Sequence, residues 1–273
     1  MNLGVDLAAS VVVLSSLLVA GAWSSFRARA RANRSPLLSE RVRALALPAN
    51  VCLAGLSALE PVVEWLMRMG VSANMVTLAS LCAGILSGIS LAAGHLGVGG
   101  LLFVAASSGD ALDGLLARAS RSESPRGAIF DASVDRYEEF FAFGGLAIAF
   151  RSSELMLTLA LAALTGAFMV SYGSVQAEAR GIAVPPGLMR RPERAVCLGL
   201  GMVLGPLVAA VDPGAERAPV TVAMIAIALL ANVSAVRRIR AVAASLSPRA
   251  PTHDTRPAAV AAVAAVAVAI VVR

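Results

Sequence analysis

Apolar residues in this chain fall in long blocks rather than in alternation. The stretches 75–95, 98–119, 128–150, 155–179, 195–211 and 218–236 are built mainly of Leu, Ala, Val and Gly, with short polar connections between them. About twenty such residues is the length of helix that crosses a bilayer. The period-two alternation of a barrel strand is missing, so the pattern predicts six transmembrane helices. Two further apolar stretches flank them. Residues 7–23 precede a basic run of Arg27, Arg29, Arg31, Arg34, Arg41 and Arg43, the order expected of a retained signal anchor rather than a cleaved signal. Residues 257–272 are nearly all Ala and Val and follow a Ser, Pro, Arg and Thr linker at 241–256; the pattern predicts a short additional hydrophobic helix, barely long enough to span. Residues 56–69, LSALEPVVEWLMRM, put Glu60, Glu64 and Arg68 on one helical face and apolar residues on another. That is the pattern of a juxtamembrane amphipathic helix lying in the interface. The expected organisation is an anchor and basic stretch at 1–43, a membrane domain at 56–240, and a linker with a hydrophobic tail at 241–273.

Composition agrees with an all-α integral membrane protein. Of 273 residues, 58% are hydrophobic and 15% are charged, and mean hydropathy is +0.78. Soluble domains run at about 45–50% apolar and about a quarter charged. The net charge is +6 and there is no Lys. The arginines sit between apolar blocks, as the positive-inside bias requires, so the charge does not point to nucleic acid. Arginines cluster at 118–126, 180–194 and 237–240. With six spans these clusters share one side, predicting a cytoplasmic face there. Cys52, Cys82 and Cys197 are isolated, and His95 and His253 are the only histidines. This argues against a zinc site or a histidine-based triad, leaving carboxylates, arginines and a metal for any polar chemistry.

Four carboxylates stand out against this background. In GDALDGLLARASRSESPRGAIFDASVDRYEEF, Asp110 and Asp113 are three apart near the end of the second core span, and Asp131 and Asp135 are four apart at the start of the third. Each pair shares a helical face. The short connection makes the two helices antiparallel neighbours, so all four can converge at the membrane boundary. Like charges at that distance oppose each other's ionisation, and protons, arginines or cations would neutralise them. Oxygen-only ligands suit Mg²⁺ or Mn²⁺, and two such ions would clamp a pyrophosphate-like substrate. Gly114 and Gly127 leave room for close approach of a ligand.

The stretch closely resembles the signature of the CDP-alcohol phosphotransferase family, DxxDGxxAR followed by GxxxDxxxD. It reads here as Asp110, Asp113, Gly114, Ala117 and Arg118, then Gly127, Asp131 and Asp135. The resemblance implies a six-helix membrane fold, commonly a homodimer, in the cell membrane with its active site facing the cytoplasm. It implies two Mg²⁺ or Mn²⁺ ions on Asp110, Asp113, Asp131 and Asp135, with Asp135 also the general base. CDP-diacylglycerol would be the lipid substrate, its nucleotide bound near Asp113, Gly114, Ala117, Arg118 and Gly127. SANMVT at 72–77 resembles the family's PNxxT entry to the first core helix, with Ala73 in place of Pro, and adds Asn74 and Thr77 to the nucleotide site. An inactive membrane paralogue is the alternative without chemistry.

Farther along, SYGSVQAEARGIAVPPGLMRRPERAV at 171–196 brings Arg190, Arg191 and Arg194 to the start of the fifth span. Arginines at a helix N-terminus suit a phosphate dianion. The stretch resembles the SYxxAxAE…G…RxER segment of the branch that makes phosphatidylinositol phosphate or archaetidylinositol phosphate. There these arginines hold the phosphate of the acceptor, inositol phosphate. The alternative with a phosphate-bearing acceptor is glycerol 3-phosphate, the substrate of a phosphatidylglycerophosphate synthase.

Overall fold

The structure is a computed structural model that describes residues 3–31, 49–183 and 187–246. The expected tail helix at 257–272 and most of the basic stretch before residue 44 lie outside them. The described residues form eight helices and no strand: α1 Leu3–Arg31, α2 Ala49–Arg68, α3 Ala73–Ala92, α4 Leu96–Ala119, α5 Pro125–Ala149, α6 Glu154–Glu178, α7 Arg191–Val211 and α8 Ala218–Leu246. Serines start three of them. Ser72 Oγ accepts from Met75 N at the head of α3, Ser124 Oγ from Gly127 N at the head of α5, and Ser153 Oγ from Met156 N at the head of α6. Each such cap satisfies a backbone donor that has no partner within its helix.

Six helices pack as a closed ring in the order α4, α3, α5, α6, α8, α7 and back to α4, while α1 lies outside against α4 and α7, and α2 against α1 and α4. Phe103, Phe143, Leu146, Leu198, Met202, Met224 and Ile227 fill the interior of the ring. Large apolar side chains such as Leu78, Ile89, Leu161, Val222 and Leu229 point outward, as they do in a protein whose solvent is lipid. Six helices are long and apolar enough to cross a membrane: α1 over Leu3–Gly21, α3, α4, α6, α7 and α8. The chain is a multi-pass membrane protein.

Three expectations change in detail. The third core span, α5, is not apolar enough to be counted with those six, because Arg126, Asp131, Asp135, Arg136, Glu138 and Glu139 all lie on it. It still stands in the ring as a full member. At 1.5 Å per residue its 25 residues reach about 37 Å, and Glu138 and Glu139 are buried inside the ring. The amphipathic helix begins at Ala49 rather than near residue 56, and α8 continues to Leu246 into what the composition marks as linker.

Close packing sets α5 against α3. A Cβ on Gly88 would lie 2.6 Å from the Phe141 carbonyl oxygen, so the two backbones touch where any side chain would force them apart. The same device seats α4 on α3. A Cβ on Gly109 would lie 2.0 Å from Ser80 Oγ. Gly109 immediately precedes Asp110, so this contact fixes where the aspartates of α4 stand.

The first helix is fastened by a buried charge. Asp6 is fully buried, and its Oδ1 accepts from the backbone N–H of Gly97 at 2.9 Å and Val98 at 3.0 Å, with His95 Nδ1 3.1 Å from Oδ2. His95 makes no side-chain cap of its own, so a carboxylate from α1 caps α4. A negative charge there also meets the positive end of the helix dipole. It follows that α1 and α4 run in the same direction. Asp6→Ala leaves buried donors unpaired, and hydrogen bonds to charged groups contribute about 1.5–3 kcal/mol. A clear fall in thermal midpoint is expected for the purified protein, with a smaller one for Asp6→Asn. An unchanged midpoint in Asp6→Ala would show that the cap carries no stability.

Candidate active site

Asp110 and Asp113 lie near the C-terminal end of α4, and Asp131 and Asp135 lie in the first turns of α5. One carboxylate oxygen from each of Asp110, Asp113 and Asp131 lies within 4.8 Å of the others. Asp113 is buried and oriented by the Thr77 hydroxyl of α3, 2.5 Å from its Oδ2. Thr77 lies 3.0 Å from the Ala73 carbonyl, one turn back. Asn74 also reaches this corner: its Oδ1 is 3.8 Å from where a Cβ on Gly127 would stand. The heads of α3 and α5 therefore meet beside the carboxylates. Arg118 folds its guanidinium back over Gly114, 3.5 Å from the position a Cβ there would take.

Asp135 is not part of the three-carboxylate group. It is held by Arg191, the first residue of α7, whose Nη2 is 2.8 Å from Asp135 Oδ1 and 2.7 Å from Glu138 Oε2. Arg191 Nη1 pairs with Asp110. Arg136 Nη1 stands 3.5 Å from the other oxygen of Asp135. The four aspartates thus separate into a group of three and a fourth drawn toward α7, because a guanidinium is a nearer countercharge for Asp135 than any neighbour on its own helix.

Behind Arg191 lies a second buried pair. Arg194 is 2% exposed; its Nε donates to Glu139 Oε1 at 2.9 Å, its Nη2 pairs with the same oxygen, and its Nη1 donates to the Met189 carbonyl at 2.7 Å. Arg190 precedes α7, and its backbone N–H donates to Glu193 at 3.0 Å. Arg238 of α8 completes this region. It is 7% exposed, lies within electrostatic reach of Arg190 and Arg194, and pairs through Nη1 with Ser174. Its Nε and the Ser234 hydroxyl are buried with no hydrogen-bond partner among the described residues. Both face Gly187, where a Cβ would lie 2.1 Å from Ser234 Oγ and 2.9 Å from Arg238 Nε.

The model of the CDP-alcohol phosphatidyltransferase family matches residues 70–272. The chain belongs to that family. A bifunctional IPC transferase and DIPP synthase of Rubrobacter xylanophilus is 40% identical over 138 residues, covering 49% of this chain and 31% of the relative. The phosphatidylinositol phosphate synthase of Mycobacteroides abscessus is 31% identical over 148 residues, covering 52% of this chain and 67% of the relative. The crystal structure of Mycobacterium tuberculosis phosphatidylinositol phosphate synthase in complex with manganese and citrate superposes with a TM-score of 0.60 at 25% identity, over 72% of this chain and 93% of that one. The chain thus spans under a third of the Rubrobacter protein and nearly all of the solved one.

In this family member the donor set fits a divalent cation. Asp110, Asp113, Asp131, Asp135 and Glu138 bring five carboxylates to one corner, against Arg191 and the more distant Arg136. The charges do not balance without protons or further cations, and a set made only of oxygen suits a hard ion. The sequence picked out the aspartates, Asn74, Thr77, Gly127 and the arginines of α7. It missed Glu138, Glu139, Ser234 and Arg238. The two glutamates were signalled: they follow Asp135 by three and four residues, on the face its own helix turns inward.

Proposed function

We propose that this chain transfers the phosphatidyl group of CDP-diacylglycerol to a hydroxyl of inositol phosphate and releases CMP, in the cell membrane with its site facing the cytoplasm. The observation that carries this is the placement of an all-carboxylate group beside a wall of buried arginines at one end of the bundle. The first suits a metal-bound diphosphate and the second a phosphate monoester. The relatives with the same signature include phosphatidylinositol phosphate synthases. The arginines of 118–126, 190–194 and 237–240, which lie at the same end as the aspartates, support the cytoplasmic orientation.

Asp110, Asp113 and Asp131 would hold one Mg²⁺ or Mn²⁺, and Asp110 with Asp135 a second. Bound there, the ions supply the positive charge that holds the pyrophosphate of CDP-diacylglycerol and offsets charge on the leaving group. Thr77 keeps Asp113 in place. Asn74, Gly127 and Arg118, with Gly114 and Ala117 on the same turns, line the approach for the nucleotide. Asp135 takes the proton of the acceptor hydroxyl. The hydroxyl oxygen forms a bond to the phosphorus that carries diacylglycerol, and the bond from that phosphorus to the oxygen of CMP breaks. Arg190, Arg194 and Arg238 fix the acceptor by its phosphate, so that its hydroxyl faces Asp135.

Arg238 gives the sharpest test, because one of its nitrogens is buried with no partner among the described residues. Arg238→Ala is expected to raise the KM for inositol phosphate about 10- to 150-fold, the equivalent of losing about 1.5–3 kcal/mol of charge-assisted hydrogen bonding. The KM for CDP-diacylglycerol should change little. Two-substrate kinetics measure both. Equal KM values in variant and wild type would remove Arg238 from the acceptor site. Turnover with glycerol 3-phosphate alone would replace the acceptor.

A further inference from the structure

Arg191 belongs to both halves of the site. By sequence it stands with Arg190 and Arg194 at the head of α7, yet its guanidinium lies among the carboxylates of α4 and α5, paired with Asp110, 2.8 Å from Asp135 and 2.7 Å from Glu138. Asp110 therefore serves two sets at once: the group of three with Asp113 and Asp131, and the group around Arg191. The guanidinium also covers the carboxylate proposed to accept the acceptor's proton.

A guanidinium is a poor permanent occupant of this position. It brings one positive charge to a corner holding five carboxylates. Its N–H donors match a phosphate as well as they match a carboxylate. Nothing is lost to the arginine if it exchanges one oxyanion for another, and two charges replace one among the aspartates if a divalent ion takes its place.

We propose that Arg191 is a stand-in cation. It holds Asp110 and Asp135 until a second divalent ion takes them, and the displaced guanidinium then joins Arg190, Arg194 and Arg238 on the acceptor's phosphate. The inference rests on the reading of a phosphate-bearing acceptor given above. It makes Arg191 a residue that couples the two halves of the site. Cation binding frees the group that captures the acceptor, and by linkage acceptor binding tightens the cation by the same factor. The acceptor is then held firmly only where the lipid substrate's metal site is already filled.

The test is Mn²⁺ binding to the full chain in lipid nanodiscs, followed by electron paramagnetic resonance of the free ion, with and without inositol phosphate. Arg191→Gln is expected to bind the second Mn²⁺ more tightly than wild type, by about 5- to 150-fold, the usual span of such couplings. Inositol phosphate should tighten Mn²⁺ in wild type by a similar factor and have no such effect in Arg191→Gln. Arg191→Lys keeps the charge without the fork that spans Asp110 and Asp135, so it should bind Mn²⁺ with intermediate affinity, and it serves where the Gln variant does not fold. Unchanged or weaker Mn²⁺ binding in these variants overturns the proposal. So does coupling that persists without Arg191, which would mean that phosphate and metal touch directly. Tighter Mn²⁺ in the variants, with no inositol phosphate bound by either protein, would keep the stand-in role and remove the acceptor instead.

Discussion

Asp135→Asn is expected to lower turnover by about 10²–10⁴-fold, the usual contribution of a positioned general base, while CDP-diacylglycerol binding stays within a few-fold of wild type. The expectation comes from where Asp135 stands. Three other aspartates form the tight oxygen cluster, and Asp135 lies at its edge toward α7. A carboxylate at the edge of the cluster keeps an oxygen for the acceptor's proton. The amide has the same shape, keeps an oxygen for the second ion and cannot take the proton. Asp113→Asn and Asp131→Asn belong to the cluster itself and should show their loss first as weaker cation binding. Single-turnover release of CMP, measured alongside CDP-diacylglycerol binding, separates the two classes. Near-normal turnover in Asp135→Asn would mean that another group takes the proton.

The largest expected loss of stability lies deeper, at Glu139 and Arg194. Removing one member of a buried ion pair leaves an uncompensated charge and typically costs about 3–5 kcal/mol. Glu139→Ala strands Arg194, which is 2% exposed, with the Met189 carbonyl as its remaining hydrogen-bond partner among the described residues. The variant should therefore inactivate at markedly lower temperature and express poorly. Arg194→Ala should do the same, because it strands Glu139. An effect of Arg194 on the acceptor thus has to be read at temperatures where the variant is folded, as a raised KM for inositol phosphate on protein that passes a stability check. Thermal inactivation of both single variants and of the double variant measures the pair. A double variant no more stable than the sum of the two losses would show that the residues do not act together.

Much of this was legible in the chain. The apolar blocks marked the core spans to within a few residues, apart from the end of α8, because twenty apolar residues in a row leave a helix little choice of boundary. The aspartates were legible because their spacing of three and four places them on one face whatever surrounds them. Other features depend on contacts across the bundle. Arg191 reaches Glu138 across 53 residues, and Arg194 reaches Glu139 across 55; no local spacing reveals which side of α7 turns toward α5. Arg238 sits in a run with Arg237 and Arg240 that reads as an ordinary membrane anchor, and only the rotation of α8 buries it. Asp6 looks like a stray charge in an apolar helix until the N-terminus of α4, some 91 residues on, arrives above it. The acidic residues of α5 set it apart by composition from the other spans, and inside the ring Asp135, Glu138 and Glu139 each meet an arginine of α7.

The most direct test is CMP release by the purified full chain given CDP-diacylglycerol, Mg²⁺ and inositol phosphate. The expected result is CMP formed in step with a phosphatidylinositol phosphate product, abolished by exhaustive chelation and restored by Mg²⁺ or Mn²⁺. CMP release that survives chelation, or no CMP with any phosphate-bearing acceptor in the presence of the cation, would contradict the assignment of the aspartates and arginines to one transferase site.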